Sequence, residues 1–223
     1  MTFPFPVVGF DLDGTLLDTS GELTASLNHA LAQAGYPPLS VAEVQARIGG
    51  GSRALLVRAF IRHGAEAAGE ALAERYHPMM IDHYRASMGQ NCPAYPGLIE
   101  AMDALEERGV TLAVATNKAE ALARPLLKRT GLLHRFPVVL GGDTLGPGRA
   151  KPAPDMLIEM IARCGGGRTA FVGDSIYDVT AAKRADVTSI AVRFGFSSAS
   201  VETLGADHVI DHYDALVPLL ASL

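Results

Sequence analysis

Only two cysteines occur in the 223 residues, Cys92 and Cys164, far apart and in no C-x-x-C pair. Their scarcity excludes a disulfide framework and a cysteine-built zinc site. No stretch approaches the length of about 18 uncharged apolar residues that a membrane helix needs, and the opening MTFPFPVVGFD lacks the basic patch and apolar run of a secretory leader. Basic clusters are missing too. The 19 lysines and arginines are scattered, and the formal net charge is −5 with a pI near 5.8, so neither nucleic acid nor an anionic membrane is an expected partner. Charged residues make up 19% of the chain against 48% hydrophobic, with mean hydropathy +0.19. That much apolar surface offsets the entropy of ordering and excludes disorder as the main state. A cytoplasmic protein is expected, built as one large domain or as a core domain with a smaller insert.

Short apolar runs rich in β-branched residues, each ending at polar or glycine residues, predict five buried strands: 7–10, 110–115, 137–140, 170–172 and 190–192. Stretches of helical apolar spacing lie between most of them, such as Leu98, Ala101, Met102 and Leu105, or Leu157, Ile158 and Ile161. This alternation predicts an α/β fold with a doubly wound parallel sheet. The rhythm breaks once. Residues 11–109 separate the first strand from the second, far more than the ~30 residues of a βαβ unit. The excess reads as all-helical: Leu23, Leu27, Ala30 and Leu31 on one face, a Ser40 to Glu43 capping box, Leu55, Leu56, Ala59 and Phe60, then a run around Met79, Met80 and Tyr84 that Pro78 is expected to kink or split. A core of residues 1–16 plus 91–223 and a helical cap of residues 17–90 follow. The second linker is marked by Cys92-Pro93-Ala94-Tyr95-Pro96-Gly97.

The first strand runs into Asp11-Leu12-Asp13-Gly14-Thr15, two carboxylates just where an apolar run stops. A polar turn is the ordinary reading of Asp13-Gly14. Two acids facing one cavity at about 4 Å would repel by about 4 kcal/mol at an effective dielectric near 20, so a cation is the other reading. Two further strands end in reactive groups, Thr116-Asn117-Lys118 and Gly173-Asp174-Ser175. Parallel strands share one carboxyl edge, where ligands of open α/β sheets bind, so Asp11, Thr116 and Asp174 should converge. Asp178 follows near a helix start, where a solvated first-turn carboxylate is the alternative to a site role. Lys151 opens Lys-Pro-Ala-Pro-Asp, and the proline biases it toward extended geometry. Several acids, a fixed lysine and a hydroxyl suit Mg²⁺ together with a phosphoryl group. Gly49-Gly50-Gly51-Ser52-Arg53 lacks the lysine of a P-loop and reads as a flexible cap loop. Gly165-Gly166-Gly167 reads as a helix end. His208 and His212 have a metal-like i, i+4 spacing, but Val209 and Ile210 suggest a strand, where that spacing does not bring both onto one metal as a helix would.

In this order, Asp11-Leu12-Asp13-Gly14-Thr15, Thr116-Asn117, Lys151-Pro152 and Gly173-Asp174-Ser175 with Asp178 resemble the four motifs of the haloacid dehalogenase superfamily, and most of all its phosphoglycolate phosphatase group. The resemblance spans nearly the whole chain. It implies that Asp11 is a nucleophile forming an aspartyl-phosphate and that Asp13 is the proton shuttle, pushed toward its protonated form by neighbouring carboxylates. It further implies Mg²⁺ held by Asp11, Asp13 through its carbonyl, Asp174 and Asp178, phosphoryl oxygens held by Thr116 and Asn117, and charge neutralised by Lys151. A small phosphorylated metabolite, 2-phosphoglycolate foremost, is the implied substrate. Arg53 is a candidate cap cation for it, with a helix-surface arginine as the alternative. Asp13 argues against the dehalogenase branch. Gly51-Ser52-Arg53 also resembles the substrate loop of phosphoglucomutase-like members, so a phosphomutase is the second expectation. A receiver-type phospho-acceptor is a remote third, since it has no use for so large an insert.

Overall fold

Six short strands, none longer than five residues, form one all-parallel sheet in a computed structural model that describes residues 3–196 and 200–223. They are β1 (Val7–Phe10), β2 (Thr111–Ala115), β3 (Val138–Leu140), β4 (Thr169–Gly173), β5 (Thr188–Val192) and β6 (His208–Ile210), in the spatial order β3-β2-β1-β4-β5-β6. The first five match the expected runs to within a residue or two. β6 was signalled only by Val209 and Ile210, because three residues at a sheet edge leave little pattern. All residues of β1, β3 and β4 are buried, as parallel strands covered on both faces should be. The order turns back at β1, whose neighbours are β2 and β4, so a crevice opens at the carboxyl ends of these strands.

Five helices attend the sheet: α5 (Leu98–Glu106), α6 (Glu120–Arg129), α7 (Asp155–Arg163), α8 (Ile176–Arg184) and α9 (Leu216–Ser222), which follow four others, α1 (Ser20–Gln33), α2 (Val41–Gln45), α3 (Ser52–Arg62) and α4 (Gly69–Ser87). The four earlier helices lie consecutively between β1 and α5 and share their own apolar cluster of Leu27, Leu31, Leu56, Phe60 and Met80. Ser40 caps α2 as expected: its hydroxyl accepts from the Glu43 N–H while Glu43 accepts from the Ser40 N–H. Pro78 does not divide the last of these helices. α4 runs unbroken through it, because a proline removes one backbone hydrogen bond while Ala73, Met80 and Tyr84, all buried, keep both halves packed. Met80 and Tyr84 of the expected run are buried, and Met79 is exposed. In α7 the apolar face is offset by one residue from the expected one: Met156, Leu157 and Met160 face the core and Ile158 faces solvent. Among the described residues no helix is long and apolar enough to cross a membrane.

Candidate active site

Register explains why residues remote in sequence meet. Phe10 pairs with Val114 of β2 and with Val172 of β4, so Asp11 leaves the sheet beside Thr116 and Asp174. The Asp11 N–H still donates to the Val172 carbonyl at 2.9 Å, which fixes its place on the rim. Directly after it, Gly14 has φ +81°, and a Cβ there would lie 2.5 Å from Asp174 Oδ2. Only glycine allows the turn after β1 to pass so close to that carboxylate.

Asp11, Asp174 and Asp178 converge, each offering an oxygen within 4.8 Å of the others. Asp174 and Asp178 are buried, and Asp11 is nearly so. Lys151, 3% exposed, lies among them with Nζ 2.6 Å from Asp178 Oδ1 and 3.0 Å from Asp11 Oδ1. Asp178 is further fixed by the Ser175 N–H and hydroxyl at 3.0 and 2.5 Å, a capping box at the start of α8. Asp174 Oδ2 accepts from the Phe196 N–H at 2.7 Å. The side-chain amide of Asn117 donates to the Lys151 carbonyl at 2.8 Å, tying the lysine loop to the end of β2.

Three carboxylates against one ammonium leave this cluster net negative. Burial, partly opposed by Lys151 and reinforced by Asp178 and Asp13, pushes Asp11 up to about 6. Burial together with Asp178 and Asp11 raises Asp174 well above the carboxylate range. For Lys151 burial works downward, but Asp11 and Asp178 outweigh it and hold the ammonium above its usual value. Asp11 Oδ1 is a buried oxygen with no hydrogen bond directed at it, despite its nearness to Lys151. An unsatisfied hard-oxygen donor in a cluster short of positive charge fits Mg²⁺.

Asp13 has a different environment from the one expected. Lys118 Nζ lies 2.9 and 3.0 Å from its two oxygens, and the Thr19 hydroxyl donates to Oδ1 at 2.8 Å. Its nearest charge is therefore an ammonium and not a neighbouring carboxylate. Lys118 is buried, with Nζ 4.5 Å from the Tyr84 ring centroid. Asp13 and Tyr84 outweigh the burial that works against its charge and raise it above the usual lysine value. Lys118 carries no role in the motifs that the sequence offers. Its signal was position, three residues past the end of β2.

These groups open into one cavity of about 250 Å³. Its floor carries Asp11, Asp13, Thr116, Lys118, Lys151 and Asp174, and its roof comes from Gln45, Ile48, Gly49–Ser52, Met80 and Tyr84. The glycine run, expected as a flexible cap loop and, through Gly51-Ser52-Arg53, as similar to a substrate loop, lines the cavity and lies against Tyr177 of α8. Arg53 does not line the cavity. It pairs with Glu70 at 2.7 Å, both side chains being more than half exposed, so the geometry matches the surface-arginine alternative. His208 opens β6, and His212 Nδ1 lies 3.0 Å from Asp214.

Comparison with known proteins agrees with this geometry. The family model for haloacid dehalogenase-like hydrolases matches residues 8–192. The chain is 42% identical over 217 residues to a phosphoglycolate phosphatase of Agrobacterium fabrum, covering 96% of this chain and 92% of the relative. It is 38% identical over 220 residues to one of Mesorhizobium japonicum, covering 97% and 95%. The crystal structure of a protein from Haemophilus somnus, described as a predicted phosphoglycolate phosphatase, superposes with a TM-score of 0.88 at 27% identity, covering 97% of this chain and 98% of that one. The chain belongs to the haloacid dehalogenase-like hydrolase family and stands with its phosphatases.

Proposed function

We propose that the chain is an Mg²⁺-dependent phosphatase that hydrolyses small phosphomonoesters, 2-phosphoglycolate foremost, through an aspartyl-phosphate on Asp11. The observation that carries this reading is the meeting of Asp11, Asp174, Asp178 and Lys151 on the floor of a covered cavity that Asp13 also lines. The names of the relatives support the substrate class. Asp11, Asp174, Asp178 and the Asp13 carbonyl would hold Mg²⁺, which supplies Lewis-acid charge for the phosphoryl oxygens.

In the first step an Asp11 oxygen attacks phosphorus, the bond from phosphorus to the ester oxygen breaks, and Asp13 gives its proton to that leaving oxygen. The Asp13 carboxylate left behind faces the Lys118 ammonium and the Thr19 hydroxyl, which stabilise it and keep it aimed. In the second step Asp13 takes a proton from water as that water attacks phosphorus. The bond between Asp11 and phosphorus then breaks, restoring the carboxylate and releasing inorganic phosphate. Lys151 offsets charge on Asp11 and the phosphoryl group, and Thr116, 1% exposed, offers its hydroxyl beside them. The cap-side roof excludes bulk water. Purified protein should release phosphate from an aryl phosphate and from 2-phosphoglycolate only when Mg²⁺ is present, and Asp11→Asn should lack that activity. Full turnover in Asp11→Asn would refute the assignment.

A further inference from the structure

A leaving group that carries a carboxylate must meet a cation somewhere in the cavity, and the structure narrows the choice. Among the described residues lining it, Lys118 and Lys151 are the cations; arginine and histidine do not occur there. Lys151 is engaged by Asp11 and Asp178 in the phosphoryl end. The roof offers glycines, Ser52, Gln45 and apolar side chains, none charged. Lys118 stands apart from the three-carboxylate cluster, against Asp13, which in the reaction proposed above touches the ester oxygen and so marks where the leaving group begins.

Resting on that reading, we infer that Lys118 is the specificity-determining cation of the cavity and pairs with the carboxylate of a short phosphorylated hydroxy acid. An ammonium has three N–H donors, and the Asp13 oxygens engage two of them, at 2.9 and 3.0 Å. One donor is left for a second acceptor without releasing Asp13. Its burial at 7% exposure and its seat on the Tyr84 ring keep the charge fixed and poorly hydrated, the condition under which a charge-assisted bond discriminates best. The small chamber suits a leaving group of few atoms. Replacing the carboxylate by an uncharged hydroxymethyl group leaves the donor without its partner, and the enzyme should then lose efficiency.

The test compares kcat/KM for 2-phosphoglycolate with that for 2-hydroxyethyl phosphate, the same skeleton bearing a hydroxymethyl group in place of the carboxylate, in Mg²⁺. Lys118 also holds Asp13, so Lys118→Met lowers both rates and the ratio between the two esters is the readout. The wild-type protein should favour the carboxylated ester by about 10-fold or more; Lys118→Met should bring the ratio near unity, and Lys118→Arg should restore part of it. Binding gives a second readout free of turnover: by calorimetry, 2-phosphoglycolate should bind the Asp11→Asn/Lys118→Met protein about 10-fold more weakly than Asp11→Asn alone. An unchanged ratio in Lys118→Met, or a wild-type protein that cleaves both esters equally, overturns the assignment while leaving the phosphatase reading intact. Release of phosphate from neither ester by the wild-type protein sinks both.

Discussion

Asp11→Asn should make the metal-free protein more stable, although it removes the residue on which activity rests. Asp11 is raised from 3.8 to about 6 in the folded chain. That difference of about two pH units means that ionised Asp11 costs the fold about 3 kcal/mol at pH 8. The sign follows from proton counting. Between the unfolded and folded values the native state binds more protons than the unfolded one, so stability falls as pH rises from about 4 to about 6 and the loss is complete above that. The asparagine variant lacks this contribution. In EDTA at pH 8 its Tm should exceed that of the wild type by about 6–12 °C, since 1 kcal/mol shifts a chain of this size by roughly 2–4 °C. The gap should shrink as the pH is lowered through 6 toward 4. Adding Mg²⁺ should stabilise the wild type strongly and the variant weakly, because the cation offsets the repulsion that the variant no longer has. Differential scanning calorimetry across pH 4–8, with EDTA or with Mg²⁺, measures all three. A variant no more stable than the wild type at pH 8 in EDTA, or a gap that does not vary with pH, would refute the electrostatic account of the carboxylate cluster.

Gly49→Ala should lower kcat/KM by about 10-fold, since its Cβ would lie 2.8 Å from Tyr177 Cε2 and push the glycine run off α8; adding Tyr177→Ala should recover part of the loss, and full activity in the single variant counts against the contact. Glu22 is buried and accepts from the backbone N–H groups of Gly89, Gln90 and Asn91, so Glu22→Ala should cost about 3 kcal/mol in urea unfolding, where a cost under 1 kcal/mol would contradict that anchoring role. Arg53→Ala should leave kcat/KM for 2-phosphoglycolate within about twofold and stability within about 0.5 kcal/mol, as expected for an exposed ion pair; a large rise in KM would return Arg53 to the substrate.

The rim of the sheet was legible in the sequence because strand ends are written as an apolar run followed by a reactive residue, and parallel order sends all such ends to one side. Asp11, Thr116 and Asp174 lie where that logic put them, and Lys151 from a loop and Asp178 from the first turn of α8 join them. Partners across the cavity were less legible, since they depend on side-chain reach. Asp13 was expected to answer to nearby carboxylates, but Lys118, more than 100 positions away in sequence, claims both of its oxygens. The face of α7 is displaced by one residue at Ile158, where adjacent apolar residues satisfy the 3.6 spacing equally well and only packing decides which is buried. Pro78 does not split α4 for a similar reason, local cost set against tertiary packing. Arg53 drew notice through its place beside the glycine run, yet the first turn of α3 turns it toward Glu70.

Trapping the covalent intermediate probes the role of Asp11 most directly. Protein quenched during turnover of 2-phosphoglycolate in Mg²⁺ and reduced with borohydride should carry homoserine at position 11, identified by peptide mass spectrometry, and none when substrate or Mg²⁺ is omitted. Reduction at another carboxylate, or steady phosphate release with no modified residue 11, would contradict nucleophilic attack by Asp11.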